Sequence, residues 1–289
     1  MPVTIQNVYV QTFEQNVRML AQQSQAKLRP YVTEKGTSAQ KHNWERMAAG
    51  AATKKTAALT PTPVAQLGWS RRVSVAETWH AGEAFEHEDP VQMLVDPKSS
   101  IVENLSMAMN RAFDDLIITA ATATALNGDG STSAFPGTQR VGDGTGAISF
   151  ALVTQVQQKF MEKDIDPTIP KVAVVGPVQV RQLMALTQQT SSDYVNAQAL
   201  QTLNASGIVV NWMGFTRVVS NRLLVPAAGQ LDCLFFTKRA IGLQVNADIS
   251  SRVAEDPSVS FAWRVYTKFT MGAVRVEDEQ IVNLRVLNS

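Results

Sequence analysis

The sequence has little cysteine, almost no net charge and no long hydrophobic run. Cys233 is the single cysteine among 289 residues, which excludes an internal disulfide framework and a cysteine-rich zinc module. Lys and Arg together number 26, and Asp and Glu 25. Because tight nucleic-acid binders concentrate positive charge, this balance argues against a dedicated DNA-binding protein and leaves only weak contact with nucleic acid. No apolar run reaches the roughly 18 residues of a membrane span, and the start of the chain lacks a signal-peptide pattern, so we expect no membrane association.

Histidine is scarce as well. The three histidines all lie in the polar first third of the chain, so a Ser-His-Asp or Cys-His site has little to draw on. Two of them lie in WHAGEAFEHEDP, which lacks the paired spacing of H-E-x-x-H. The segment predicts an exposed acidic turn rather than a metal site, formed by His80, Glu83, Glu86, His87, Glu88 and Asp89.

The remaining reactive residue types predict no catalytic site. Asp114 and Asp115 are consecutive, so on a helix they point about 100° apart, and Arg111 lies within reach of both for ion pairing at a surface or interface. Cys233 lies between apolar neighbours in LDCLFF, where a buried thiol keeps its proton and is inert. We expect no catalytic residue, no cofactor and no metal, and therefore no enzymatic activity.

The glycine-rich stretch at residues 127–149, NGDGSTSAFPGTQRVGDGTGAIS, resembles a phosphate-binding loop only superficially. No lysine occurs between Lys98 and Lys159, so a Walker loop is excluded. The stretch follows a predicted helix rather than a strand, which excludes a dinucleotide fingerprint. Thr132 and Thr138 occupy the positions where a calcium loop needs Gly and Glu. The stretch predicts a flexible surface connection.

Periodicity predicts helices early and strands late, in a chain whose 45% hydrophobic content supports a real core. Residues 13–32 favour a helical arm ended by Pro30, and the polar residues 33–67 favour an extended arm that packs on something else. A capping box at Ser100 and Glu103 predicts the start of an amphipathic helix of about 25 residues that runs to Asn127.

Strand-like patterns surround that helix. Residues 69–95 alternate like strands with an exposed face. Ser149 is placed to cap a second helix, and residues 172–175 read as a buried strand followed by a Gly176-Pro177 turn and a third helix. Four further strand-like segments follow, so the fold class is α+β.

The succession of these features resembles the major capsid protein of tailed bacteriophages, with the Hong Kong 97-type shell fold in its podophage-like form. The arm, the entry to the long helix and the C-terminal strands carry the resemblance, and its weight lies in their order over nearly the whole chain. The segments are AQQSQAKLRPYV (21–32), SRRVSV (70–75), HEDPVQMLVDPKSS before IVENLSMAMNRAFDDLIITAATATALNG, VAVVGPVQVRQLM, GFTRVVSNRLL, CLFFTKRAIGLQV and MGAVRVEDEQIVNLRV.

The resemblance implies a division of the chain into four parts. Residues 1–32 would be an N-terminal arm, and residues 33–97 an extended loop with flanking strands that lies over a neighbouring subunit. Residues 98–170 with 255–289 would form a peripheral domain around a long spine helix, and residues 171–254 an axial domain. The implied interface candidates, each of which could instead pack locally or face solvent, are Trp44, Arg46, Trp69, Arg71 and Arg72.

The resemblance also implies a structural function without chemistry. The subunit would self-assemble into pentamers and hexamers of an icosahedral head that encloses double-stranded DNA and matures from a procapsid. It would assemble in the host cytoplasm, reside in the virion, and have as partners a portal protein, a decoration or cement protein, and DNA held by weak non-specific contact. Because the arm begins close to Met1, a separate scaffolding protein is expected. The Lys, Asn and Glu positions that cross-link some family members have no match here, so no cross-link is predicted.

Two alternatives stay open on the sequence. An encapsulin-like compartment shares the architecture but holds cargo enzymes, and a neighbouring cargo gene would favour it over a phage head. A soluble α+β enzyme or ligand-binding domain, with the glycine-rich stretch near its site, would purify as a stable compact monomer.

Overall fold

A computed structural model describes residues 20–86 except 60, 63 and 65, and residues 98–186, 209–259 and 261–288. Three α-helices and fourteen β-strands lie in these ranges. The helices are α1 (Lys98–Thr122), α2 (Phe150–Met161) and α3 (Pro177–Met184). The strands are β1 (Thr33–Gly36), β2 (Lys41–Met47), β3 (Trp69–Val75), β4 (Glu77–Phe85), β5 (Ala125–Asn127), β6 (Thr132–Ser133), β7 (Arg140–Val141), β8 (Lys171–Val175), β9 (Asn211–Trp212), β10 (Phe215–Val219), β11 (Gln230–Thr237), β12 (Ile241–Asp256), β13 (Ala262–Arg275) and β14 (Ile281–Leu287).

The described strands form three sheets. One has the order β1-β12-β13-β4 and is dominated by the long antiparallel pair β12 and β13. The second has the order β7-β14-β11-β8-β10-β9, with β8 and β10 parallel on either side of the α3 connection. The third has the order β2-β3-β5-β6 and is the one from which the β2–β3 hairpin extends. The α+β fold class predicted from the sequence is therefore the one observed.

Helix α1 lies against the long β12–β13 sheet through one apolar stripe. Met109, Phe113, Ile117 and Ala121 recur every fourth residue and are at most 4% exposed. Phe113 meets Phe269 of β13 with ring centroids 6.4 Å apart. This stripe is the one that the helical periodicity predicts, and its burial makes α1 the spine of this part of the molecule.

The predicted bounds of the long helix are wrong at both ends. The helix includes Lys98, so Ser100 lies inside its first turn and the predicted capping box does not start it. At its other end the helix stops at Thr122, and residues 125–127 form β5, which pairs with β3 at Arg72 and Val73. Backbone pairing with β3 replaces the last helical turn, a tertiary contact that helical periodicity does not detect.

The N-terminal arm is not helical where the structure describes it. Residues 20–28 are irregular, and Pro30 lies within a short 3₁₀ helix, Arg29–Tyr31, instead of ending a longer one. Residues 13–19 lie outside the described residues. Leu28 and Val32, at most 2% exposed, bury the end of the arm in the main core.

Asp114 holds this arm on α1. Its carboxylate is fully buried and accepts hydrogen bonds from the backbone N–H groups of Lys27 and Leu28 at 3.0–3.1 Å, and from the Gln23 side chain. The predicted ion pairing of Asp114 and Asp115 with Arg111 is therefore wrong. Asp115 pairs with Arg222, with 2.7 Å between the Arg222 Nε and the Asp115 Oδ1, and Arg111 donates to the Gln22 side chain. The arm covers a helix face that the sequence pattern marks as solvent-exposed.

The glycine-rich stretch is not a simple flexible connection, because it contributes strands to two sheets. Its first part forms the β5–β6 hairpin, and its later part forms β7, which pairs with β14. Gly142 adopts φ +75°, and a Cβ there would lie 2.4 Å from the Arg285 carbonyl oxygen. Glycine at this position allows the closest backbone approach in the stretch.

The elements predicted between residues 149 and 186 are confirmed. The Ser149 hydroxyl accepts a hydrogen bond from the Leu152 N–H at 3.3 Å and caps α2. β8 is buried along its whole length, and Pro177 opens α3 as predicted. Cys233 is fully buried in β11, as expected from its apolar neighbours, and burial raises the pKa of its thiol to about 12.

We predict that Asp114→Ala loosens the attachment of the arm to α1 and lowers the free energy of unfolding more than Asp115→Ala does. The substitution leaves two backbone N–H groups without their acceptor, which costs about 3 kcal/mol of unfolding free energy. The control Asp115→Ala removes a partly exposed ion pair and costs below about 1 kcal/mol. Urea denaturation measures both, and limited proteolysis should cut residues 20–28 faster only in the Asp114 variant. Equal losses in the two variants would contradict the role given to Asp114.

We also predict that Cys233 stays unmodified in the folded chain at pH 8 to 9. Only the thiolate reacts, and a folded-state pKa of about 12 keeps the thiol protonated there, whereas an unfolded thiol titrates near ~8.5. A thiol-reactive dye should label the chain after denaturation in urea and not before. Rapid labelling of the native chain at pH 8 would show that the thiol is accessible.

Candidate interaction surface on the β2–β3 hairpin

The β2–β3 hairpin brings all five predicted interface residues onto two paired strands. Its antiparallel register sets Trp44 opposite Arg72, Arg46 opposite Ser70, and Met47 opposite Trp69. Alternate residues of β2 are exposed and half-buried, as expected of a ribbon with one face on the subunit. The hairpin therefore has an inner face that fixes it and an outer face that is available for contact.

Trp44 belongs to the inner face. Its indole Nε1–H donates to the Ser74 hydroxyl at 3.0 Å, and that hydroxyl donates to the Gln244 side-chain oxygen at 2.8 Å. The fully buried Gln244 amide in turn donates to the Ala39 carbonyl at 2.6 Å. The chain of hydrogen bonds joins both hairpin strands to β12. Since buried polar groups are costly when unpaired, it strongly favours one position of the hairpin base.

Two glycines of the long sheet let the hairpin approach closely. A Cβ at Gly242 would lie 2.5 Å from the Trp44 ring, and one at Gly272 would lie 2.2 Å from the Val75 carbonyl oxygen. Neither distance is possible for a side-chain carbon. Glycine at these two positions is therefore a steric requirement for the crossing of β3 over β12 and β13.

Arg72 connects the hairpin to a cluster of ion pairs formed by Arg72, Arg275 and Asp278, which we call the ionic node. Its guanidinium, in a residue 3% exposed, donates to Asp278 at 2.7 Å and to the Asn127 side-chain oxygen. Arg275, fully buried at the end of β13, binds the same Asp278 carboxylate. Desolvation lowers the pKa of Arg72 from its usual value, and the positive charges of Arg46 and Arg275 add to that effect against the attraction of Asp278. The hairpin base is thus held by charges that are almost completely removed from water.

Arg275 extends this node to two more segments. Its two terminal nitrogens donate to the Ala123 carbonyl beyond α1 at 2.6 Å and to the Ser133 carbonyl at the end of β6 at 3.0 Å. The guanidinium also lies 5.3 Å from the centre of the Phe135 ring. One side chain therefore anchors the end of the spine helix, the glycine-rich stretch and the turn between β13 and β14.

The outer face of the hairpin opens into a cleft of about 650 Å³. Trp69 beside it is 68% exposed and Met47 is 54% exposed. Arg71 is exposed but paired with Glu45 at 2.7 Å. The residues that line the cleft are Glu45, Arg46, Trp69, Ser70, Arg71, Arg72, Asn127, Gly128, Asp129 and Ser133.

The structure separates the five predicted residues by environment. Trp44 is half-buried against the subunit and does not line the cleft. The other four residues line the cleft, and of these Arg72 is buried while Trp69 and Arg71 are exposed. Sequence reasoning missed Gln244, Arg275 and Asp278, which fix the hairpin from other parts of the chain. An arginine between valines in AVRVED was the available signal for Arg275, because a charged residue on an otherwise apolar strand face needs a buried partner.

The predicted acidic turn is partly wrong. His80 and Glu83 lie on β4, which pairs with β13, and the turn assignment therefore fails for them. His87, Glu88 and Asp89 lie outside the described residues. In the described part of the chain no group of three or more His, Cys, Asp or Glu side chains is placed to hold a metal ion. No helix among the described residues is long and apolar enough to cross a membrane.

We predict that Gly272→Ala and Gly242→Ala displace the hairpin base. Each added methyl meets backbone or an indole ring, an overpacking that costs about 1–3 kcal/mol of unfolding free energy. Gly36→Ala is the matched control, since nothing lies within 4 Å of a Cβ there. Chemical denaturation measures the difference. Wild-type stability in all three variants would show that the close crossing is not required.

Comparison with known proteins agrees with this architecture. The family model described as phage capsid protein matches residues 5–288. No curated protein matches the chain. Among solved structures, the capsid of cyanophage P-SCSP1u is 15% identical with a TM-score of 0.73, covering 98% of this chain and 94% of its own. A structure from Mycobacterium phage Che8 is 14% identical with a TM-score of 0.74, covering 96% and 97%.

A third similar structure is the capsid of Ralstonia phage GP4, which is 9% identical with a TM-score of 0.72 and covers 100% of this chain and 98% of its own. At these identities the structural likeness establishes the fold, and it confirms the Hong Kong 97-type major capsid fold predicted from the sequence. Because the family model spans nearly the entire sequence, this chain belongs to the phage capsid protein family.

Proposed function

We propose that this structural major capsid protein assembles into pentamers and hexamers of an icosahedral phage head that encloses double-stranded DNA. Membership of the capsid family supports the structural role. The observation that carries the proposal is the β2–β3 hairpin, whose base is fixed by buried contacts while its outer part has little of its own subunit to pack against. A hairpin that is fixed at its base and exposed over its outer part is suited to lie on a second copy of the chain.

The outer hairpin supplies apolar contact area for such a copy. Leu59 and Val64 are 97% and 90% exposed, and Met47 and Trp69 follow at the base of the ribbon. Exposed apolar patches often mark interaction surfaces, and these four exposed apolar residues lie on one hairpin. We assign Trp69, Arg46 and Arg71 to this contact directly, and Trp44 and Arg72 to it through the position of the hairpin. Repetition around rings makes weak individual contacts sufficient.

The four-part division of the chain stays a proposal. Within the proposed arm (1–32), residues 20–32 are described and dock on α1 through Asp114, and the described part of the proposed extended loop (33–97) contains the β2–β3 hairpin. The boundary at residue 254 between the axial domain (171–254) and the peripheral domain (98–170 with 255–289) falls inside β12, and β14 pairs with β11. A division by sheets would give β12 and β13 to the peripheral domain and β14 to the axial domain.

The individual partner proteins, the place of assembly and the location in the virion are proposals as well. We expect a separate scaffolding protein, a portal protein, a decoration or cement protein, assembly in the host cytoplasm and residence in the virion. The net charge of +1 supports weak non-specific contact with packaged DNA, since a container need not bind phosphate strongly. The family supports a non-enzymatic role, and the described cleft is lined by no nucleophile paired with a base.

The proposal predicts that the purified chain forms closed shells, with scaffolding protein if needed. Sedimentation should show megadalton particles and negative-stain microscopy should show hollow round heads. Truncation of hairpin residues 51–66 should abolish the particles while the subunit stays folded, because the contact surface is removed and the buried base is kept. A stable compact monomer under all conditions would contradict the proposal. Shells filled with a cargo enzyme instead of DNA would favour the compartment alternative.

A further inference from the structure

The cleft at the hairpin base has an excess of buried positive charge. The side chains of Arg72 and Arg275 are 4% and 0% exposed, and both bind the single carboxylate of Asp278. The third partner of the node, the Asn127 side chain, is neutral. Burying a charge without a counter-charge is costly, so two arginines on one aspartate leave this part of the molecule one anion short.

A donor of Arg72 is left without a partner at the same place. Its Nε–H is buried and makes no hydrogen bond, although the two terminal nitrogens are bonded to Asn127 and Asp278. Arg72 lines the cleft together with Arg46. That donor is closed off from solvent, so the cationic group of the cleft open to a partner is the Arg46 guanidinium, since Glu45 already neutralises Arg71. A carboxylate presented beside apolar surface suits this place, because Trp69 lines the cleft and Met47 lies opposite Trp69.

The far end of the long sheet has the complementary chemistry. Register places Glu83, Val265 and Val253 in one row, and Phe85, Trp263 and Glu255 in the next row on the same face. Glu83 and Glu255 are exposed at the two edges, whereas Val265 between the outer strands is fully buried. Exposed apolar residues of the same end are Val253 at 38%, and Val259 and Phe261 at the nearby turn at 54% and 62%, and Arg264 there is already paired with Asp256. We call this set the acidic patch.

A subunit cannot bring its own acidic patch to its own cleft. Arg72, which lines the cleft, and Arg275 bind the same Asp278 carboxylate, so the cleft lies near the C-terminal end of β13. Trp263 of the acidic patch lies twelve residues before Arg275 on β13. At about 3.3 Å per residue the two ends of β13 are roughly 40 Å apart. The cleft and the acidic patch therefore cannot meet within one chain. Their complementary charges favour a contact between two copies.

We propose that the cleft of one copy binds the acidic patch of a second copy, with a Glu255 or Glu83 carboxylate pairing with Arg46 beside the buried Arg72 and the apolar side chains packing on Trp69. This rests on the proposed function, since it specifies which surfaces meet. The contact joins different surfaces of identical chains, so it is heterologous and generates rings or extended nets rather than a closed pair. Nucleic-acid phosphate is the less suitable occupant, because a phosphate brings no apolar surface to cover the exposed Trp69 and Met47.

Charge reversal tests the pairing. Arg46→Glu alone, and Glu83→Arg with Glu255→Arg, should each raise the protein concentration needed for particle formation by about tenfold or more, because like charges then face each other. Combining all three changes should restore assembly at least in part. Lys41→Glu and Glu77→Arg, exposed residues at the opposite ends of β2 and β4, are the matched controls and should assemble like the wild type.

The outcomes separate this inference from the broader proposal. If the wild type assembles but the combined variant is as defective as the single ones, the pairing is wrong and the capsid function stands. If Arg46→Glu leaves assembly intact and instead reduces retained DNA, the cleft holds phosphate and the pairing is likewise overturned.

A second measurement does not depend on particles. Chains carrying Ser70→Cys and chains carrying Val253→Cys, mixed at high concentration with oxidised glutathione, should form a disulfide-linked dimer that neither forms alone. The native Cys233 is fully buried and does not compete. Absence of the mixed dimer would overturn the inference even if shells form.

Discussion

The buried guanidinium of Arg275 is the interaction on which the arrangement of the other elements depends. It binds Asp278, the carbonyl of Ala123 after the spine helix and the carbonyl of Ser133 within the glycine-rich stretch. Through Asp278 it also holds Arg72 and with it the hairpin. A buried charge of this kind is stable only while its partners stay in place, so the node makes helix, stretch and hairpin interdependent.

This interdependence explains how an exposed ribbon can be positioned accurately. The hairpin is attached to the subunit only at its base, and three kinds of contact meet there. They are the ionic node, the Trp44–Ser74–Gln244 hydrogen bonds and the close packing at Gly242 and Gly272. Each is intolerant of small displacements, for electrostatic, hydrogen-bonding and steric reasons respectively. A rigid base lets the outer surface be presented at a fixed angle, which repeated contacts between identical copies require.

The sequence was informative where local periodicity decides structure. The buried stripe of α1, the Ser149 cap and the buried strand β8 followed from spacing alone, and the order of elements led to the capsid family. The failures share one physical cause, which is contact between distant residues. Residues 20–28 are held in an irregular conformation by Asp114, and residues 125–127 form a strand because β3 lies alongside. Trp44 is half-buried against Gly242, and Arg72 is buried against Asp278, each about two hundred positions later in the chain. No local pattern encodes those partners.

We propose that the β2–β3 hairpin, fixed at its base in its own subunit, contacts the next copy in a closed shell. An electron cryomicroscopy map of the assembled particle tests this contact directly. We expect every copy to keep Arg72 and Arg275 on Asp278, and the outer β2–β3 hairpin to lie against a neighbouring chain. A shell in which the hairpins lie free of all neighbours, or in which the Asp278 node is broken while the hairpin keeps its angle, would contradict it.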